Sequence, residues 1–148
     1  MTHVGWPEDP SRLPWVMTLG EMVDRVASGS PEKVFLSYGD QQVSYGQFRE
    51  RTLQVAGMFR EMGVCHGDRV CTLLPNGLEF PYIWMGLARL GAICVTINTA
   101  FKGDEVAYIL NDAETKLLVC HHSLLETAKS AASNCPSLEE TIVVSEDA

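Results

Sequence analysis

Several things are missing from this sequence, and each absence removes a class of function. No run approaches the ~20 consecutive apolar residues that span a bilayer. The N-terminal "MTHVGWPEDPSRLPW" lacks the basic start and apolar block of a secretion signal. Lysine and arginine form no dense cluster: 11 basic side chains stand against 19 acidic ones, for a net charge of −8. Nucleic acid and anionic membrane both require a basic footprint, so neither is expected as a partner. No CxxC pair occurs among Cys65, Cys71, Cys94, Cys120 and Cys135. An odd, unspaced set of thiols points to a reducing compartment, and the cytoplasm is the expected location. The "CHH" at 120–122 has no second cluster to complete the about four ligands of a zinc site, so no metal ligand is assigned. GxGxxG, the GxxxxGK phosphate loop, GxSxG and HExxH are all absent.

What is present suits one soluble α/β unit. A chain of 148 residues, 46% hydrophobic and 20% charged, is long enough to bury a core. Residues 1–17 carry Pro7, Pro10 and Pro14 with Trp6 and Trp15. They read as an extended arm anchored by its tryptophans, and 18–148 as the folded α/β part. Thr18–Glu21, Ser44–Gln47, Asn76–Glu79 and Ser123–Glu126 each place a capping oxygen three residues before Glu or Gln, and each is expected to open a helix. In the second helix Phe48, Thr52, Val55, Ala56, Phe59 and Met62 share a face, and Gly63-Val64 closes it. The third is expected to stop at Gly91, with Pro81 in conflict unless it falls in the first turn. Between the helices lie "RVCTLL" (69–74), "ICVTIN" (93–98), "KLLVC" (116–120) and "TIVVS" (141–145). These runs are continuously apolar, as parallel strands covered on both faces would be. "VFLSYGDQQVSY" (34–45) reads as a hairpin turning at Gly39-Asp40. The expected fold is a partial doubly wound, mainly parallel sheet with flanking helices and an N-terminal β-hairpin.

In such sheets ligands sit beyond the C-terminal ends of the strands, which selects Pro75–Leu78, Asn98–Gly103, Cys120–Ser123 and the tail after Ser145. Asn76-Gly77 supplies a single glycine, too few to converge several N–H groups on a phosphate, so this loop reads as a capped strand-to-helix connection. Lys102, with Phe101 and Gly103, is the one candidate cofactor-binding residue: a cation there could meet a phosphate, or be a solvated lysine before the next helix. Cys120 and His121 are neighbours in a strand and point to opposite faces, so they do not form a thiol–imidazole pair. Asp112–Glu114 reads as a turn cap. No catalytic residue is assigned.

The order of motifs carries a further signal. Ser44-Tyr45 opening a helix, Gly63-Val64 with Gly67-Asp68-Arg69-Val70, and Leu74-Pro75-Asn76 with Glu79-Phe80 come first. Gly86-Leu87-Ala88 with Leu90-Gly91-Ala92, then Glu105 with Tyr108-Ile109-Leu110, complete the set. In this order they resemble the N-terminal region of the adenylate-forming enzymes, in the acyl-CoA synthetase branch. The resemblance covers about Thr18 to the end. It implies a parent ligase that activates a carboxylic acid with ATP and Mg²⁺ to an acyl-adenylate, then forms a thioester with CoA. Adenylation is needed because a carboxylate is a poor electrophile, and cations offset the phosphate charge.

That family's Ser/Thr/Gly-rich phosphate loop, ribose-holding Asp and C-terminal catalytic lysine have no counterpart up to Ala148. The expectation is therefore an N-terminal piece of a longer ligase, inactive alone and binding no cofactor itself. Two departures are visible. Val95-Thr96 stands where Val-Pro is common, and Ala100 where thioester-forming relatives often carry a basic residue, with Lys102 two places on. Alternatives are a stand-alone, non-catalytic nucleotide- or acyl-binding module and a protein-interaction piece. An incomplete sheet would leave an open edge, favouring self-association.

Overall fold

The computed structural model describes residues 17–145. The expected arm and its anchors Trp6 and Trp15 lie outside the described residues. Thr18 opens α1 (Leu19–Gly29): its hydroxyl accepts the Glu21 N–H at 3.2 Å while the Glu21 carboxylate accepts the Thr18 N–H at 2.7 Å. A hairpin follows, β1 (Val34–Tyr38) and β2 (Gln41–Ser44), paired antiparallel around Gly39 at φ +56°. Ser44 then caps α2 (Tyr45–Glu61) in the same reciprocal way with Gln47, at 3.3 and 2.9 Å. Gly63, at φ +79°, turns the chain out of this helix, and the Val64 N–H bonds back to the Phe59 carbonyl.

From there strands and helices alternate: β3 (Arg69–Leu73), α3 (Glu79–Leu90), β4 (Ile93–Thr96), α4 (Gly103–Asp112), β5 (Leu117–His121), a single 3₁₀ turn (His122–Leu124), α5 (Leu125–Ala132) and β6 (Glu140–Val144). The sheet runs β4-β3-β5-β6 and every pair is parallel, in register Val70↔Cys94, Val70↔Leu117 and Leu117↔Glu140. Winding goes one way from β3 to β4 and the other way through β5 to β6, which makes the sheet doubly wound.

The period-2 alternation of the strands divides the core. Val70, Leu117 and Val119 face α2 and α3, meeting Phe59, Ile83 and Leu87. Cys71, Leu73, Leu118 and Cys120 face α4 and α5, meeting Val106, Leu110, Ala128 and Ala131. A third cluster, Val23, Val43, Phe48 and Met85, stacks α1 and the hairpin over α2 and α3. Burying one such large side chain stabilises by about 1.5–3 kcal/mol.

Three expectations change. Only the central strands β3 and β5 are covered on both faces; β4 and β6 are margins, with Ile93 51% and Val143 45% exposed. Asn76 does not cap α3. Leu78 precedes the helix, so Glu79 is its first residue rather than its third, and the Asn76 carbonyl is taken by the Tyr38 hydroxyl at 2.9 Å. Ser123 does not cap α5 either. It lies in the 3₁₀ turn with its hydroxyl 2.7 Å from His121 Nδ1, while Glu126 pairs with Lys129. The Pro81 conflict resolves simply: Pro81 is the third residue of α3, where a missing N–H breaks no intrahelical bond.

Candidate functional site

All four parallel strands end at the same side of the sheet, and the loops after β3 and β5 depart to opposite faces. That divergence opens a crevice at the switch point, the usual ligand position in open α/β sheets. A cleft of about 480 Å³ lies there. Leu74 to Glu79 form one wall, His121 and Val144-Ser145 the other, and Tyr38 with Gln41 reach in from the hairpin.

Local chemistry sets each wall. The Tyr38–Asn76 hydrogen bond ties the hairpin to the β3–α3 loop and fixes that loop's height over the sheet. A Cβ at Gly77 would come 2.6 Å from the Glu79 carboxylate, the mobile end of a side chain that can swing away. On the opposite wall, His121 is half-buried at the end of β5 and caps the 3₁₀ turn. Its Nδ1 accepts the Ser123 backbone N–H at 3.3 Å. The cleft thus offers an imidazole, two side-chain amides, two hydroxyls and one carboxylate. It can hydrogen-bond a polar ligand, but it has no converging cations.

Cys120, next to His121, points the other way into the core and is fully buried. Burial pushes its thiol pKa up, as it does for Cys94, and it pushes Cys71 up to about 11. These thiols are unreactive core groups at neutral pH. Cys71 also hydrogen-bonds Thr115 at 2.9 Å. Glu114 of the acidic pair turns the chain at φ +46° and its carboxylate meets Arg69 at 3.0 Å.

Lys102 stands at the same end of the sheet but is not among the residues lining the cleft. It is exposed immediately before α4, and its backbone N–H donates to the Glu105 carboxylate at 2.8 Å. Of the four expected loops, the structure joins Pro75–Leu78 and the end of β5 in one cleft and leaves Asn98–Gly103 apart, while the tail after Ser145 lies outside the described residues. Tyr38 and Gln41 were not legible as cleft residues. Their place depends on where the hairpin packs, and no local pattern encodes that.

Among the described residues no three His, Cys, Asp or Glu side chains converge as ligands. No helix among them is long and apolar enough to cross a membrane.

Comparison with known proteins gives the family. The profile of the AMP-binding enzyme family matches residues 23–148. A 4-hydroxybenzoate–CoA/benzoate–CoA ligase of Rhodopseudomonas palustris is 29% identical over 125 residues, 84% of this chain and 23% of the relative. A crotonobetaine/carnitine–CoA ligase of Salmonella paratyphi A is 42% identical over 78 residues, 53% of this chain and 15% of the relative. Among solved structures, an anthranilate CoA ligase in complex with anthranoyl-AMP superposes with a TM-score of 0.84 at 30% identity, covering 90% of this chain and 26% of the ligase. A Mycobacterium tuberculosis fatty acyl CoA synthetase superposes with a TM-score of 0.77 at 28% identity, covering 86% and 26%. The chain therefore spans about a quarter or less of the relatives it matches. It belongs to the AMP-binding enzyme family and resembles the N-terminal part of that family's acyl-CoA ligases.

Proposed function

We propose that this chain is the N-terminal part of an ATP-dependent acid–thiol ligase and supplies frame rather than chemistry. The parent reaction joins a carboxylic acid to ATP as an acyl-adenylate with loss of pyrophosphate, then passes the acyl group to the CoA thiol. The observation that carries this reading is the family match over 23–148 together with the 0.84 superposition on a CoA ligase. Mg²⁺ belongs to the parent in this reading, where it would offset phosphate charge. The relatives act, by their names, on aryl acids, on crotonobetaine or carnitine and on fatty acyl groups. Fatty acid metabolism is thus supported no more strongly than aromatic acid metabolism. The five free cysteines, three of them buried, support a reducing cytoplasmic setting.

Lys102 enters this reading as a phosphate contact for ATP or CoA. Its exposure at the C-terminal end of β4 supports that role. In the parent ligase, Lys102→Ala would raise the KM for one of these ligands several-fold and leave kcat unchanged.

The experiment grafts this chain onto the Rhodopseudomonas palustris ligase in place of that enzyme's own matching segment. The expected chimera forms AMP only when its acid is present. A chimera that melts cooperatively yet never adenylates overturns the reading.

A further inference from the structure

We infer that the β1–β2 hairpin is a hinged strap across the mouth of the crevice, latched by the Tyr38 hydroxyl. The hairpin is a two-stranded sheet of its own, and no ladder bond joins it to the four-stranded sheet. Its two ends are held differently. At the root, the Phe35 ring packs on Tyr45 and Phe48 of α2, with ring centroids 4.6 and 4.8 Å away. Val43 is buried in one cluster with Phe48, and the Tyr45 N–H donates to the Lys33 carbonyl at 2.9 Å. At the tip, Ser37 to Gln42 are all exposed. Among the described residues the tip makes one hydrogen bond to the rest of the chain, from the Tyr38 hydroxyl to the Asn76 carbonyl at 2.9 Å.

A strap also needs a place to bend. The register of the ladder shifts between Val34 and Leu36, at the anchored Phe35, and such an extra residue bends the strand that carries it. The hinge therefore lies where the root is fixed, and the latch at the far end, where a small rotation moves it furthest. Tyr38 and Gln41 line the cleft from the tip, and Leu74 to Glu79 line it from the loop that the latch holds. One bond thus joins two walls. An exposed hydrogen bond competes with water and contributes little net free energy, so this end of the hairpin opens ahead of the core. Release frees the tip and the Asn76-Gly77 loop together and widens the cleft; relatching closes both walls. The strap is built from this chain's own contacts and does not depend on the parent reaction.

Backbone nitrogen relaxation dispersion on the 148-residue chain tests this, because lid opening falls in the microsecond-to-millisecond range that it reads. The wild type is expected to show exchange at Gly39, Gln41, Asn76 and Gly77, with one shared rate for tip and loop, and none at Leu118 in β5. Tyr38→Phe keeps the ring and removes only the latch. In that variant the shared rate is expected to be lost, and amide hydrogen exchange across β1 and β2 to rise about 2- to 10-fold, while β5 keeps its wild-type rates. Should Tyr38→Phe fail to fold, the wild-type rates decide alone. Tip and loop exchanging at unrelated rates in the wild type, or either showing no exchange, overturns the inference. A shared rate unchanged in Tyr38→Phe overturns it too. So does loosening that extends to β5, which would make Tyr38 a general stabilising contact and no latch.

Discussion

The two faces of the sheet are stabilised in different ways. On the face of α4 and α5 the contacts are almost wholly apolar, with Val106, Leu110, Ala128 and Ala131 buried against Cys71, Leu73, Leu118 and Cys120. The opposite face is two tiers deep, and its tiers are cross-linked by polar groups. Asp24 of α1 receives Arg49 of α2 at 3.0 Å and Arg89 of α3 at 2.8 Å, and Arg89 also donates to the Thr52 hydroxyl at 3.0 Å. Apolar burial holds a helix on a sheet but specifies its angle weakly. Directional bonds among three helices fix a second tier that has no sheet beneath it.

Substitutions can break this contrast, and Leu110→Ala should have the largest effect. Leu110 is fully buried in the apolar cluster of this face, so its truncation is expected to cost about 2–5 kcal/mol in denaturant titrations. A loss below about 1 kcal/mol would mean the α4–α5 face is loosely packed. Gly86→Ala probes the tight packing of the other face. A Cβ at Gly86 would lie 2.6 Å from Val55 Cγ1 and 3.2 Å from the Ala56 backbone nitrogen. Overpacking there should cost about 1–3 kcal/mol, and paired Val55→Ala should restore part of it.

Ser44→Ala should follow at about 1 kcal/mol, through loss of the α2 cap, while Ser123→Ala changes stability by only a few tenths at roughly the level of a surface site. Equal losses would show that the Ser123 hydroxyl secures α5 after all. The smallest effect is the most diagnostic of the polar tier. The hydrogen bond from Arg89 holds the Asp24 carboxyl below its ordinary range, against a smaller opposing effect of burial. A depressed folded-state pKa adds stability that is complete above the unfolded value and is lost as pH falls through the folded one. Asp24 is more than a third exposed, so after solvent screening the contribution is at most about 1 kcal/mol. The stability difference between wild type and Asp24→Asn should be constant above the ordinary carboxylate range and shrink as pH falls through the depressed folded-state pKa. A difference independent of pH would assign the effect to packing.

Much of this organisation was legible in the sequence, because it is locally encoded. The hairpin turn at Gly39-Asp40, the end of α2 at Gly63 and the end of α3 at Gly91 follow from backbone conformations that glycine adopts at low cost. Thr18 and Ser44 cap as their spacing suggests, while the same spacing at Asn76 and Ser123 does not. A capping box requires its first residue to adjoin the helix, and where a helix begins depends on how the preceding loop is held. Asn76 is held by Tyr38, and Ser123 by His121. Strand order was out of reach for a similar reason. Four runs of like composition cannot announce which two lie in the middle, since their neighbours are chosen by crossovers through helices far along the chain. The cleft followed the same rule: its strand-end loops were foreseeable, whereas the hairpin residues that close it were not.

The claim that this chain frames a ligase rather than performing ligation is tested most directly by assay of the isolated 148 residues. The purified chain is incubated with ATP, Mg²⁺, CoA and benzoate, and AMP is quantified by chromatography. Predicted is no AMP above the protein-free blank, from a chain whose cooperative melting shows it to be folded. Acid-dependent AMP formation by this chain alone would contradict the claim.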